Sequence, residues 1–265
     1  MTTVVALGGH LLAGGALGEV REAIELLAGD TLVLTHGNGP QVGDELARSP
    51  ELPAHVAVAR TQAEIGSQLG LAVGAACIVT HVVVDPDDPA FDEPTKPIGP
   101  WLPDHPGGDA IHDDERGWRR VIASPQPVEI VELAAIRALA EQGVAVVCCG
   151  GGGIPVADGA GVAAVIDKDR VSAVLAERLG AGRLVVLTDV DALYRDFRSG
   201  AEQRIEQLTA AEAEALAPEL PPGSMGPKVE SCAAFVRATG GEALITSARA
   251  LEAALGARAG TRVVL

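Results

Sequence analysis

The chain has 265 residues, enough for one large domain or two joined lobes with a substantial core. Hydrophobic residues make up 48% but aromatics only 2%, so that core must be built from Ala, Val, Leu and Ile. A net charge of −16 argues against a nucleic-acid or anionic-membrane surface, which needs a basic face, while leaving room for a small phosphorylated ligand held by local lysines and backbone N–H groups.

Short apolar runs alternate with stretches of helical spacing along the whole chain, which indicates an α/β architecture. Residues 4–7 read as a first strand, and the turn ALGGH follows it at 6–10. Helical spacing over 19–28 leads to a strand at 32–35, which runs into THGNGPQVG at 35–43. A long helix is expected over 54–71 and a strand over 77–84. Residues 85–118 break the rhythm, being rich in Pro and Asp without periodicity, and too long for an ordinary connection. With Trp101 and Trp118 in it, this segment reads as an ordered lid rather than a disordered insert.

A helix is expected over 129–142, then a strand over 144–148 ending in CGGGGIPV at 149–156. Further helices are expected at 170–179, 210–216, 228–239 and 248–255, with strands at 184–187, 243–246 and 262–265. The strands are apolar on both faces, which implies a mainly parallel sheet covered by helices on each side. In such sheets ligands bind outside the carboxyl ends of the strands, where ALGGH, THGNGPQVG, CGGGGIPV and LTDVD (187–191) should converge. Four consecutive glycines, Gly150–Gly153, cost backbone entropy without evident packing return, so they read as a ligand loop. Asn38 also reads as a left-handed turn residue, and His36 as a satisfied structural histidine.

Cys77, Cys148 and Cys149 sit in apolar runs and read as buried strand positions; with Cys232 they read as reduced thiols without metal-ligand spacing. The first residues lack a basic region and a long apolar stretch, and no run reaches the ~18 apolar residues of a membrane span. A cytoplasmic chain with no membrane or nucleic-acid partner is expected. The six histidines show no paired metal-ligand spacing, and neither a G-x-S-x-G turn nor a P-loop is present.

The chemistry-bearing stretches lie in the last third. AVIDKDR (164–170) places Lys168 between Asp167 and Asp169 at a helix start. GSMGPKVESC (223–232) delivers Lys228 to the first turn of another helix. Two lysines brought to helix starts by short polar loops are what a phosphoryl-transfer site needs, because its catalysis is mostly positioning and electrostatics.

Read together, VVALGG, THGNGPQVG, VVVDPDDPAFDEPTKPIGP, RGWRRV with SPQP, CGGGGIPV, AVIDKD, LTDVD, GSMGPK and the closing ITS resemble the carbamate kinases of the amino-acid-kinase superfamily. The pieces occur in that family's order over nearly the whole chain. The resemblance implies a three-layer αβα sandwich with a mainly parallel central sheet and a small protruding lid subdomain at about 85–118. It implies one domain, 1–265, with a substrate-side lobe (1–160) and a nucleotide-side lobe (161–265), in a homodimer. The implied reaction is reversible phosphate transfer between ATP and carbamate, with Mg2+ travelling on the nucleotide.

Carried over by residue, the resemblance makes Lys168 and Lys228 the phosphate-stabilising lysines, with Asp169 holding them. Arg120 stands where some members have a lysine reaching carbamoyl phosphate. Gly8, Gly9 and His10 form the turn at the transferred phosphate; Gly37, Asn38, Gly39, Gly151 and Gly152 face the small substrate. Thr188, Asp189, Asp191, Tyr194, Met225 and Gly226 are nucleotide-side positions. Two departures fall near the small-substrate pocket: His10 replaces the family's asparagine, and the connection from His10 to Thr35 is shorter than usual. Two alternatives therefore remain open at this point. One is a kinase of another small acid or phosphate with His10 as donor. The other is a catalytically weak nucleotide-binding paralogue with a regulatory role.

Overall fold

The computed structural model describes residues 1–9, 17–197, 201–220 and 225–265. In chain order the strands are β1 (Thr2–Leu7), β2 (Thr31–His36), β3 (Ala76–Cys77), β4 (His81–Val84), β5 (Lys96–Pro97), β6 (Ala110–Asp113), β7 (Gly117–Ile122), β8 (Pro127–Ile130) and β9 (Val146–Val147). They continue as β10 (Ile154–Ala157), β11 (Ala160–Gly161), β12 (Arg183–Leu187), β13 (Leu193–Arg195), β14 (Gln203–Ile205), β15 (Gln207–Thr209), β16 (Glu242–Thr246) and β17 (Thr261–Val264). The α-helices are α1 (Leu17–Glu25), α2 (Gly39–Arg48), α3 (Ala54–Val73), α4 (Leu133–Glu141), α5 (Lys168–Leu179), α6 (Ala210–Leu216), α7 (Met225–Thr239) and α8 (Leu251–Leu255).

Eight strands form the central sheet in the order β15-β17-β16-β12-β1-β2-β9-β3. Every junction is parallel except β16-β17. Its middle strands are apolar on both faces because each face is covered. Val4, Ala6, Leu184 and Val186 pack with Val171 and Leu175 of α5 and Val229 and Phe235 of α7. Their alternates Val5, Leu7, Val185 and Leu187 pack with Val20 of α1, Leu69 of α3 and Leu251 of α8. The period-2 alternation of a strand thus makes the three-layer αβα sandwich.

Parallel pairing also brings strand ends together. Leu7 is in register with both His36 and Leu187, and Leu187 with Thr246. The loops after β1, β2, β9 and β12 therefore leave the same sheet edge. A second sheet, β11-β10-β4-β8, stands beside the first. Between its strands β4 and β8 the chain makes the lid, whose core is the antiparallel sheet β5-β7-β6. The lid is ordered by its tryptophans: Arg116 lies 4.4 Å over the Trp101 ring, and His105 meets Trp118 edge-on. It rests on α2, where a Cβ built on Gly43 would lie 2.0 Å from Gly99 Cα.

Four expectations change. The apolar run 77–84 is divided between the two sheets as β3 and β4. The start of the expected helix 129–142 is strand β8, because Pro127–Ile130 pairs with β4. Helix α2 was not anticipated, since its glycine-rich entry hides a helix that Pro40 opens. Cys77 is exposed rather than buried, because β3 is an edge strand; Cys148, Cys149 and Cys232 are buried, and all four thiols are free.

Phe235 is the largest fully buried side chain and joins α7 to the sheet. Phe235→Ala is expected to destabilise the fold by about 3–5 kcal/mol, read from the urea unfolding midpoint. A loss below about 1 kcal/mol would show that α7 is not anchored by this contact.

Candidate functional site

The site begins with the start of α5. Asp167 is its N-cap, and one side-chain oxygen accepts from the backbone N–H groups of Asp169 and Arg170. The other oxygen accepts from Lys96 Nζ at 2.8 Å. Lys168, the first helical residue, donates from Nζ to Asp169 Oδ1 at 2.6 Å. Lys228, in the first turn of α7, donates to Asp169 Oδ2 at 3.1 Å. One buried carboxylate thus holds two lysines from two helices.

Electrostatics follow from burial. Burial opposes the Asp169 charge, but Lys168 and Lys228 outweigh it and hold its carboxyl below the usual range. Asp167 is likewise desolvated, and Lys96, with Lys168 and Lys228 behind it, keeps it ionised far down the pH scale. Burial lowers the Lys168 pKa, and the neighbouring Lys228 charge adds to that. For Lys228 burial acts downward too, but the Asp169 charge and hydrogen bond prevail and raise it. A buried, paired cluster of this kind marks a functional-site candidate.

Two glycine turns face the lysines. Gly8 N–H donates to Leu187 O, and Gly37 N–H donates to Leu7 O, so both turns continue the sheet's hydrogen bonding. They touch backbone to backbone: a Cβ on Gly37 would lie 2.9 Å from Gly9 N. Asn38 is buried, and its amide donates to Thr61 Oγ1 of α3 rather than capping α2. Thr35 Oγ1 meets Ser172 Oγ at 2.6 Å, and Ser172 Oγ–H donates to Lys168 O, which ties β2 to the start of α5.

The tetraglycine turn is packed, contrary to expectation. Absent Cβ atoms at Gly150, Gly151, Gly152 and Gly153 would collide with His36, Asn38, the Ile166 carbonyl and Val82 respectively, all at 2.4 Å or less. Gly151, Gly152 and Gly153 also have positive φ. Each glycine therefore lets a different element approach. His36 is not fully satisfied either: Nδ1 lies 3.2 Å from Gly37 O, while buried Nε2 makes no well-formed hydrogen bond.

These pieces enclose a cavity of about 220 Å³. Of the residues singled out by the sequence, Gly8, Gly9, Gly37, Asn38, Gly39, Gly151, Lys168, Asp169, Thr188, Asp189 and Lys228 line it. Gly152 is buried and does not line it. Asp191 and Tyr194 pair with each other through a 2.9 Å hydrogen bond outside it. Met225 opens α7, and Gly226 borders a larger adjoining cleft shared with Lys96, Asp167 and Arg170. Arg120 is not brought to the cavity: it borders a separate hollow with Gly43, Ile98 and Leu102, and its Nη2 donates to Pro106 O. His10, with the trimmed connection beginning there, and Gly223 and Ser224 of the GSM turn lie outside the described residues.

Lys96 and Asp167 also line the cavity. Lys96 was not anticipated as a site residue, although it sits in the PTKPIGP stretch; its only signal was a lone lysine in a Pro-rich insert. Among the described residues no cluster of His, Cys, Asp or Glu could hold a metal ion, and no helix is long and apolar enough to cross a membrane.

Burial pushes the His36 imidazole down from 6.5 to about 4. The unfolded chain binds a proton there that the folded chain refuses. The stability contributed by neutral His36 is therefore full above pH 6.5 and is lost as pH falls toward about 4. Within that window the expected slope is about 1.4 kcal/mol per pH unit. His36→Phe should flatten it in urea unfolding measured at several pH values between 7 and 4.5; an unchanged slope would contradict the assignment.

The family model "Amino acid kinase family" matches residues 1–247. A carbamate kinase of Halobacterium salinarum is 43% identical over 302 aligned residues, covering 99% of this chain and 98% of the relative. A carbamate kinase of Trichomonas vaginalis is 39% identical, covering 100% and 99%. The Giardia lamblia carbamate kinase bound to AMP-PNP superposes with a TM-score of 0.87 at 35% identity, covering 99% of this chain and 98% of that one.

Proposed function

The chain belongs to the amino acid kinase family, and we propose that it is a carbamate kinase, transferring phosphate reversibly between ATP and carbamate. The observation that carries this reading is Lys168 and Lys228 on the two oxygens of one buried carboxylate, facing two glycine turns across a small cavity.

During transfer the phosphoryl group spreads negative charge over its equatorial oxygens, and catalysis consists of meeting that charge with preorganised donors. Lys168 and Lys228 supply two ammonium groups at fixed positions. The turns at Gly8–Gly9 and Gly37–Gly39 let backbone come close to an anion because no side chain stands in the way. Asp169 orients the lysines; with both oxygens engaged it is not placed to take a proton. None needs to be taken, since carbamate is already an anion. Gly37, Asn38, Gly39 and Gly151 hold the small-substrate end, served by residues 1–160. Thr188 and Asp189 begin the nucleotide end, with Asp191, Tyr194, Met225 and Gly226 further along 161–265. Lys96 adds a third cation from the lid and takes the part that the sequence suggested for Arg120.

Magnesium belongs to the nucleotide in this reading. Asp167 and Asp169 already serve lysines, so the donor set suits an ion held mainly by phosphate oxygens. Its chemistry there is to neutralise charge on the nucleotide phosphates. A homodimer fits the free edge at β3, beside which Leu71 and Val79 are 88% and 40% exposed.

ATP formation from ADP, Mg2+ and carbamoyl phosphate is the direct test. The natural chain should be active, and Lys228→Ala should lower kcat roughly 10²–10³-fold, as for loss of one transition-state donor. Lys96→Ala should mainly raise KM for carbamoyl phosphate. An inactive natural chain, or a Lys228→Ala variant within about threefold of it, would overturn the reading. Nucleotide binding without turnover would point to a binding role instead.

A further inference from the structure

His36 has no role in the chemistry above and does not line the cavity, yet it packs directly against the tetraglycine turn. It is fully buried at the end of β2. The carbonyl oxygen of Gly37 can only accept, so His36 Nδ1 carries the proton in the 3.2 Å contact between them. That leaves Nε2 buried without a well-formed hydrogen bond, although the Gln62 backbone also acts on the ring. A buried unsatisfied acceptor is destabilising, and an apolar ring of similar size would avoid it.

The contacts around the ring suggest what the polar ring does. A Cβ on Gly150 would lie 2.2 Å from His36 Nε2 and 2.4 Å from Cε1. One residue on, a Cβ on Gly151 would lie 2.1 Å from Nδ2 of Asn38, itself two residues past His36. The segment 36–38 and the tetraglycine turn therefore interlock, imidazole on Gly150 and amide on Gly151. On its other side the Gly37 carbonyl, which receives the His36 proton, packs against Gly9 at 3.6 Å from the position of an added Cβ. The ring thus touches one glycine turn and holds the carbonyl of a second, which in turn packs on the third.

We propose that His36 is a positioning residue that sets the small-substrate loop, 37–39, between the Gly8–Gly9 turn and the tetraglycine turn. Its bulk fixes the distance to Gly150, and its Nδ1–H fixes the direction of the Gly37 carbonyl. This rests on the carbamate kinase reading for the identity of the substrate, but not for the loop geometry. Both contacts lie on the small-substrate side, with Lys168 Cε 3.6 Å from an added Gly37 Cβ as their approach to the lysines, so the larger effect is on that substrate.

Two variants separate the two contributions. His36→Phe keeps the ring's bulk and removes the donor; His36→Asn keeps a donor at the Nδ1 position and removes the bulk. In ATP formation from carbamoyl phosphate and ADP, His36→Phe is expected to raise KM for carbamoyl phosphate about tenfold or more, with KM for ADP within about twofold. His36→Asn should recover part of that loss. Hydrogen exchange gives a readout independent of activity. Amides of 37–39 and of 150–153 should exchange faster together in both variants, while those of 168–172 should not change.

Equal effects on both KM values, or unchanged exchange in both glycine turns, would overturn the proposal. Should His36→Phe fail to fold, the same exchange comparison on His36→Asn decides it. If the natural chain makes no ATP from carbamoyl phosphate, the substrate reading fails, and hydrogen exchange still tests the positioning role.

Discussion

The site depends on a single carboxylate. Asp169 offers one oxygen to Lys168 and the other to Lys228, and all three side chains are largely buried. Without it, two ammonium groups would share a desolvated space; at 4 Å and an effective dielectric of 20, unit charges interact by about 4 kcal/mol. Its position is fixed by ordinary helix chemistry. Asp167 caps α5 and so sets where Lys168 and Asp169 emerge. The Thr35–Ser172 hydrogen bond then fastens that helix start to β2, and hence to the glycine turns. Phosphoryl-transfer geometry here is the product of one N-cap, one interhelical carboxylate and one hydroxyl pair.

Much of this was legible from residues alone. Continuous apolar runs at 4–7 and 184–187 identified central strands, and parallel pairing then required their glycine-bearing ends to meet. The lysine between two aspartates at 167–169 announced a helix start with charge to manage. What was not legible depends on contacts between distant segments. Lys96 lies in an insert without periodicity, so nothing local says that it reaches Asp167, 71 residues on. Arg120 follows the opposite logic: its charge looked functional, but strand β7 turns it toward Pro106.

The tetraglycine turn shows the same limit in another form. Entropy arguments applied to Gly150–Gly153 point to a ligand loop because they see only the cost of a flexible chain. Each glycine in fact faces a different neighbour, from His36 to Val82. Gly151 is at once a cavity wall and a seat for Asn38. In a core almost without aromatic residues, close backbone approach replaces large side chains as the means of bringing elements together.

Charge around the cavity is divided unevenly between the two parts of the molecule. Five of the six charged side chains lining it, namely Lys168, Lys228, Asp167, Asp169 and Asp189, come from residues 161–265, and their formal charges leave one negative in excess. The sixth, Lys96, comes from the lid and restores neutrality. The cavity's formal charge balance thus depends on a side chain supplied by the lid, outside the segment that carries the other five.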